Sequence, residues 1–212
     1  MGRVVKLALG VALEATAQAR EDPAELASVF TSSGADGENC HEICHALSLT
    51  GREVSPTRFA NSVHNAAAGY WSIGTGEMAG STVLCAFDAS FTAGLLEALT
   101  QVVVDRIPVL LVAYDSPFPP PLHQKRPILE SFGTALVLTP DRRDSSLARI
   151  DADLTDLSYD RLTDPGLEAL RSQCPAARAL PLLRLLARQS SGTAVLEYLD
   201  VSRLEVRIEP CL

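Results

Sequence analysis

Residues 107–114, IPVLLVAY, form an almost wholly apolar run, and this constrains the fold more than any other stretch. A strand with one wet face alternates polar and apolar side chains. One that stays apolar throughout has both faces covered, as happens in the middle of a sheet flanked by helices. The rest of the chain supplies the layers that such a strand needs. Val5, Ala8, Leu9, Ala12, Leu13 and Ala17 recur at helical spacing over residues 4–19, and Pro23 follows their end. Residues 26–32 (LASVFTS) and 132–138 read as strands, and 38–47 and 66–73 as helices. Over residues 148–154, Ile150, Ala152 and Leu154 alternate with charged residues, which predicts a strand with one wet face. Two helices, near 165–172 and 177–188, precede two strands at 193–199 and 203–208, with a turn at 200–202. Residues 51–65 look irregular around Pro56. Residues 116–127, with Pro117, Pro119, Pro120, Pro121 and Pro127, predict an exposed, stiff loop without helix or central strand. Strands alternating with helices give an α/β layered fold. With no internal repeat, the chain reads as a single domain over 1–212, its core about 1–140 and a C-terminal extension about 141–212.

Residues 82–99, TVLCAFDASFTAGLLEAL, carry the strongest functional signal. They read as a buried strand filling 83–87 that turns sharply at Asp88 into a helix marked by Phe91, Leu95, Leu96 and Leu99. Several acyl-transfer folds hold their nucleophile at such a bend, where the helix dipole and free N–H groups activate it. A carboxylate in that place is only stabilised as an anion. The simplest role for Asp88 is therefore to cap the helix, since Asp is a preferred N-cap.

Composition narrows the function classes. With 18 basic and 26 acidic side chains the net charge is −8, which disfavours nucleic acid and anionic membrane surfaces as partners. The apolar runs of the sequence are shorter than the ~20 residues of a membrane-spanning helix. Five cysteines, an odd number, without a charged-then-apolar leader point to a reducing, cytoplasmic setting. Cys40, His41, Cys44 and His45 form CHEICH, yet one helix does not bring four ligands to a point, so no metal and no cofactor is expected. Cys85 falls in the predicted strand and reads as a small buried hydrophobe. His64, Asn65, Ser72, Asp88 and Ser90 do not form a nucleophile motif of the Gly-x-Ser-x-Gly kind, and Gly74, Gly76 and Gly80 precede their strand, unlike a phosphate-binding loop.

The segment SPTRFANSVHNAAAGYWSIGTG (55–76) together with CAFDASFTAGLLEAL, LLVAYDSPFPPPL, FGTALVLTP and CPAARALPLLRLLAR closely resembles the ketosynthase-like N-terminal domain family, short relatives of the β-ketoacyl-acyl-carrier-protein synthases. The resemblance covers nearly the whole chain. It implies a thiolase-like α/β fold, approximately the N-terminal half of a ketosynthase with a C-terminal extension. In condensing relatives the elbow holds an acyl-accepting cysteine. Matching the elbows sets Asp88 at that position and Ser90 at a small-residue position just beyond. The histidines that assist condensation come from the second half of such enzymes, and this chain has none after His123. Relatives usually begin with another strand before the helix that starts near Val4, so that strand is either absent or lies before a truncated start, and the C-terminal strands are one candidate to complete the sheet instead.

The resemblance therefore implies a non-condensing, chain-length-factor-like subunit. It would act with a full-length ketosynthase, or with a second copy of itself, in type II fatty acid or polyketide (aryl polyene-like) biosynthesis, meeting acyl carrier protein indirectly. His64, Asn65, Phe87, Asp88, Ser90 and Phe91 become acyl-tunnel or interface candidates, and no catalytic residue is expected. Two alternatives from other classes stand beside it: an acyl-thioester enzyme using Asp88, with His64, as general acid or base, and a homodimeric scaffold or acyl-binding module.

Overall fold

A computed structural model describes residues 2–211. Helix α1 (Arg3–Ala19) leads to strand β1 (Ala27–Thr31), followed by helices α2 (Gly37–Ser48), α3 (Pro56–Asn61) and α4 (Ala66–Thr75). Strand β2 (Ser81–Leu84) then passes through one 3-10 turn (Phe87–Ala89) into helix α5 (Ser90–Val104). Next come strand β3 (Val109–Asp115), a short helix α6 (Leu122–Lys125) and strand β4 (Phe132–Leu138). The C-terminal part comprises strand β5 (Ala148–Thr155), helix α7 (Pro165–Gln173), a 3-10 segment (Pro175–Ala179), helix α8 (Leu180–Arg188) and strands β6 (Gly192–Glu197) and β7 (Arg203–Pro210).

The strands form two sheets, ordered β2-β1-β3-β4 and β5-β7-β6. In the first, β1 runs parallel to β2 and β3, and β4 closes the far edge antiparallel. The apolar run does hold an inner strand: every residue of β3 is buried. Its alternate residues serve two cores. Leu110, Val112 and Tyr114 join Phe30 beneath Val4, Val5, Ala8 and Ala12 of α1 and Ala67, Ala68 and Trp71 of α4. Val109, Leu111 and Ala113 face Phe91, Leu95, Ala98 and Val102 of α5. That second core continues through Ala176, Ala177, Ala179 and Leu182 to Ala194, Leu196, Leu204, Val206 and Ile208 of the second sheet. The molecule is thus layered: α1 and α4, first sheet, α5 with the 3-10 segment and α8, second sheet. The outer face of the second sheet carries Arg207 paired with Asp153 and Glu205, and Arg149 with Asp151, so its alternation is that of a wet face.

Several expectations change. The C-terminal strands do not complete the first sheet; they pair antiparallel with one another and with β5 across the helical layer. Strand β2 is an edge rather than a buried strand and ends at Leu84. Cys85 therefore lies beyond it, exposed, with its thiol donating to the Ser33 carbonyl at 3.3 Å. Residues 51–65 contain α3, which Ser55 starts by accepting from the Arg58 amide and which Pro56 favours at its first position. The proline-rich loop winds one turn, α6, and buries Phe118 against the β1–α2 connection. A Cβ at Gly37 would stand 2.4 Å from the Phe118 ring, so that residue must stay small. The helix expected over 177–188 begins instead as 3-10 structure, with prolines at Pro175 and Pro181.

The stretch Phe87–Val104 is long and apolar enough to cross a membrane by length and composition. Its packing between two sheets accounts for that character: one face meets β1 and β3 and the other the 3-10 segment and the second sheet.

Candidate functional site

The strand-to-helix bend lies at the C-terminal ends of β1, β2 and β3. Phe87, not Asp88, takes the left-handed conformation there, with φ 52°. That region is unfavourable for a bulky L-residue, and a nucleophile elbow has such a strained residue at its apex. Ser90 fastens the turn from inside. Its hydroxyl donates to the Phe87 carbonyl at 2.7 Å and accepts from the Ala86 amide at 3.1 Å. The Thr31 hydroxyl of β1 in turn donates to the Ser90 carbonyl at 2.7 Å. Phe91 is buried in the core beneath, so of the elbow residues it is the anchor of the fold.

Asp88 does not cap α5. Ala89 occupies the N-cap, and no side chain accepts from the first amides of the helix. Two arginines claim the carboxylate instead. Arg126 donates to one oxygen at 2.8 Å and Arg178 to the other at 3.2 Å. The Arg126 guanidinium also lies over the Phe87 ring, 3.6 Å from its centroid. Arg178 reaches Glu197 at 3.4 Å, and Glu197 is held by Arg171 at 2.6 Å. Arg171, itself buried, pairs with Glu168, whose carboxyl is held down at about 2 chiefly by this hydrogen-bonded partner. At the same corner the Thr92 hydroxyl donates to the Glu197 carbonyl at 2.6 Å. A chain of charges thus ties the elbow to α7 and β6.

A second buried polar cluster stands next to it. Asp115, at the end of β3, accepts from the Ser33 amide at 2.9 Å and hydroxyl at 2.7 Å, and through its other oxygen from the Ala176 amide at 2.9 Å. Burial raises its pKa to about 6, although these hydrogen bonds work in the opposite direction. Cys174, wholly buried, has its thiol pushed up to about 12 by burial and then by the Asp115 charge, so it is no thiolate. Cys85, two residues before the apex, gives its hydrogen to the Ser33 carbonyl.

The remaining candidates make no hydrogen bond to the elbow among the described residues. Asn65 is exposed at the start of α4 and makes no capping bond, and His64 is half-buried with its Nε2 unpartnered among the described residues. Neither residue bonds to Asp88, whose carboxylate oxygens go to the two arginines. The general acid–base pairing of Asp88 with His64 is therefore not assembled. Cys40 and Cys44 are exposed on α2, a helix without buried side chains, and the His41 and His45 rings stack at 6.5 Å. Among the described residues no group of three or more His, Cys, Asp or Glu is arranged to hold a metal ion.

Sequence reasoning missed Arg126, Arg178, Glu197 and Asp115. The signals were present but small: Arg178 interrupts the apolar CPAARAL, and Asp115 ends an apolar strand with a charge.

Comparison with known proteins agrees with this geometry. A chain of the complex of ketosynthase ApeO with its chain length factor ApeC from Xenorhabdus doucetiae superposes with a TM-score of 0.74 at 23% identity, over 98% of this chain and 78% of that one. The ishigamide ketosynthase/chain length factor gives 0.71 at 12% identity, over 100% and 82%. The 3-oxoacyl-(acyl carrier protein) synthase III FabH of Pseudomonas aeruginosa PAO1 gives 0.51 at 14%, over 97% and 83%. These likenesses establish a thiolase-like ketosynthase fold. No curated protein matches the sequence significantly. The profile of the family "Beta-ketoacyl synthase, N-terminal domain" matches residues 1–196, and the chain belongs to that family.

Proposed function

We propose that this chain is a non-condensing, chain-length-factor-like subunit that pairs with a full-length ketosynthase and helps to shape its acyl tunnel in type II fatty acid or polyketide-type biosynthesis. The observation that carries the reading is the elbow itself. Its strained apex is a phenylalanine, and the carboxylate beside it is locked between two arginines. Neither can accept an acyl group as a thioester, and a paired carboxylate offers nothing to stabilise a developing enolate.

A subunit without chemistry of its own acts through contact, and the outer edge of β2 suits that role. Among the described residues its backbone groups on that side have no strand partner, and Ile73 and Met78, eight and three residues before it in the chain, are 83% and 92% exposed. An unpaired edge with apolar neighbours is a docking surface for a protein. Two solved chains of similar fold come from ketosynthase–chain length factor complexes, which supports a ketosynthase as the partner.

Co-expression with each full-length ketosynthase of the source organism tests the proposal. The expected result is co-elution as a heterodimer and a shift in product chain length when the subunit is deleted. A free chain that ignores the ketosynthase, with unchanged product length on deletion, would overturn it. Self-association without the ketosynthase would favour the homodimeric scaffold.

A further inference from the structure

Phe87 is held in an unfavourable conformation without the usual compensation. Its φ of 52° is a genuine outlier for an aromatic residue, and such strain persists only where the surroundings over-determine it. Burial does not account for it, because the side chain is 61% exposed. The surroundings instead fix an exposed ring. Arg126 covers one face, Asp88 holds Arg126, and Arg178 holds Asp88 from the side of the second sheet. The backbone of the turn is closed by the Ser90 hydroxyl.

A rigid aromatic beside an arginine has the composition of an interface hot spot, and a side chain already ordered in the free state loses little entropy on docking. Its place in the fold indicates what docks. Phe87 follows β2 by three residues, and Met78 precedes that strand by three, so the unpaired edge has an exposed apolar side chain beyond each end. An edge of this kind matches a polypeptide. The ring also stands outside the two cavities of 600 Å³, beside β4 and β5, and 340 Å³, beside α2 and α3.

We infer that Phe87 is a pre-organised anchor that enters an apolar socket on the ketosynthase partner, with the Arg126–Asp88–Arg178 bracket keeping it presented. This rests on the ketosynthase-partner reading above and adds the residue on which the affinity depends.

The test measures, for the full chain and the co-purified ketosynthase, both binding affinity and the melting temperature of the free chain. Glycine is at ease at positive φ. Phe87→Gly should therefore raise the melting temperature by about 2–4 °C while weakening ketosynthase binding by about tenfold or more. Phe87→Trp should bind within about threefold of wild type. Opposite signs in stability and binding are the signature of an anchor. A fall in melting temperature in step with affinity would make the ring an internal support and overturn the inference. So would unchanged affinity in Phe87→Gly, including the case where product length alone shifts because the ring meets the acyl chain. Wild type that fails to bind any ketosynthase removes both readings, whereas wild type that binds equally well without the ring removes only the anchor.

Discussion

Asp115 is the residue on which most of the buried polar geometry converges. It joins the end of β3 to the loop after β1 through Ser33 and to the 3-10 segment through the Ala176 amide. Burial raises its pKa from an ordinary 3.8 to about 6, so the folded chain holds a proton here that the unfolded chain releases between those values. Stability from this group is therefore greatest below about pH 4, declines as pH rises to about 6, and is level above that. Asp115→Asn abolishes the titration. We expect the free-energy difference between wild type and Asp115→Asn, from urea unfolding, to shift against wild type by on the order of 2–3 kcal/mol between pH 4 and 7. A difference constant over that range would show that the carboxylate is not the titrating group. The sign is opposite to that of Glu168, whose lowered pKa gives stability that is lost as pH falls below about 4.5 toward 2.

At the level of elements, α5 decides how close the two sheets lie. A Cβ added at Gly94 would stand 2.7 Å from Thr31 Cγ2 and 3.1 Å from Leu111, so the helix rests almost directly on β1 and β3. Gly94→Ala should cost about 1–3 kcal/mol by overpacking, read as a lower urea midpoint with unchanged slope. A stability equal to wild type would mean that the helix can lift without loss. The elements themselves were largely legible in the sequence. Helix α1, strands β1, β3 and β4, and the hairpin of β6 and β7 follow from periodicity and from one apolar run, because each buries a face whose spacing its backbone sets. The elbow was legible as a bend but was centred one residue late. Asp at a helix start reads as a cap, and only the tertiary arrangement reveals that Arg126 and Arg178, 38 and 90 residues away in sequence, take its carboxylate. The place of the C-terminal strands was hidden for a similar reason. Alternation marks a wet face but does not say which sheet the dry face covers.

The whole molecule has a single continuous core between its sheets, built from α5, the 3-10 segment, α8 and both inner sheet faces. Neither sheet can leave without exposing the same helices. Calorimetry should then record one transition with equal calorimetric and van't Hoff enthalpies. A separate early transition that unfolds β5–β7 alone would contradict this.

The charged path from Asp88 through Arg178 and Glu197 to Arg171 and Glu168 also bears on how freely the elbow can vary in sequence. A half-exposed turn is ordinarily free to drift, since nothing selects side chains that support no packing. Here the elbow is fastened through charge to α7 and to β6 of the second sheet. A library randomised at Phe87, Asp88, Ser90, Arg126 and Arg178 and sorted only for soluble expression should accordingly return the bracket residues Asp88, Ser90, Arg126 and Arg178 and leave Phe87 open.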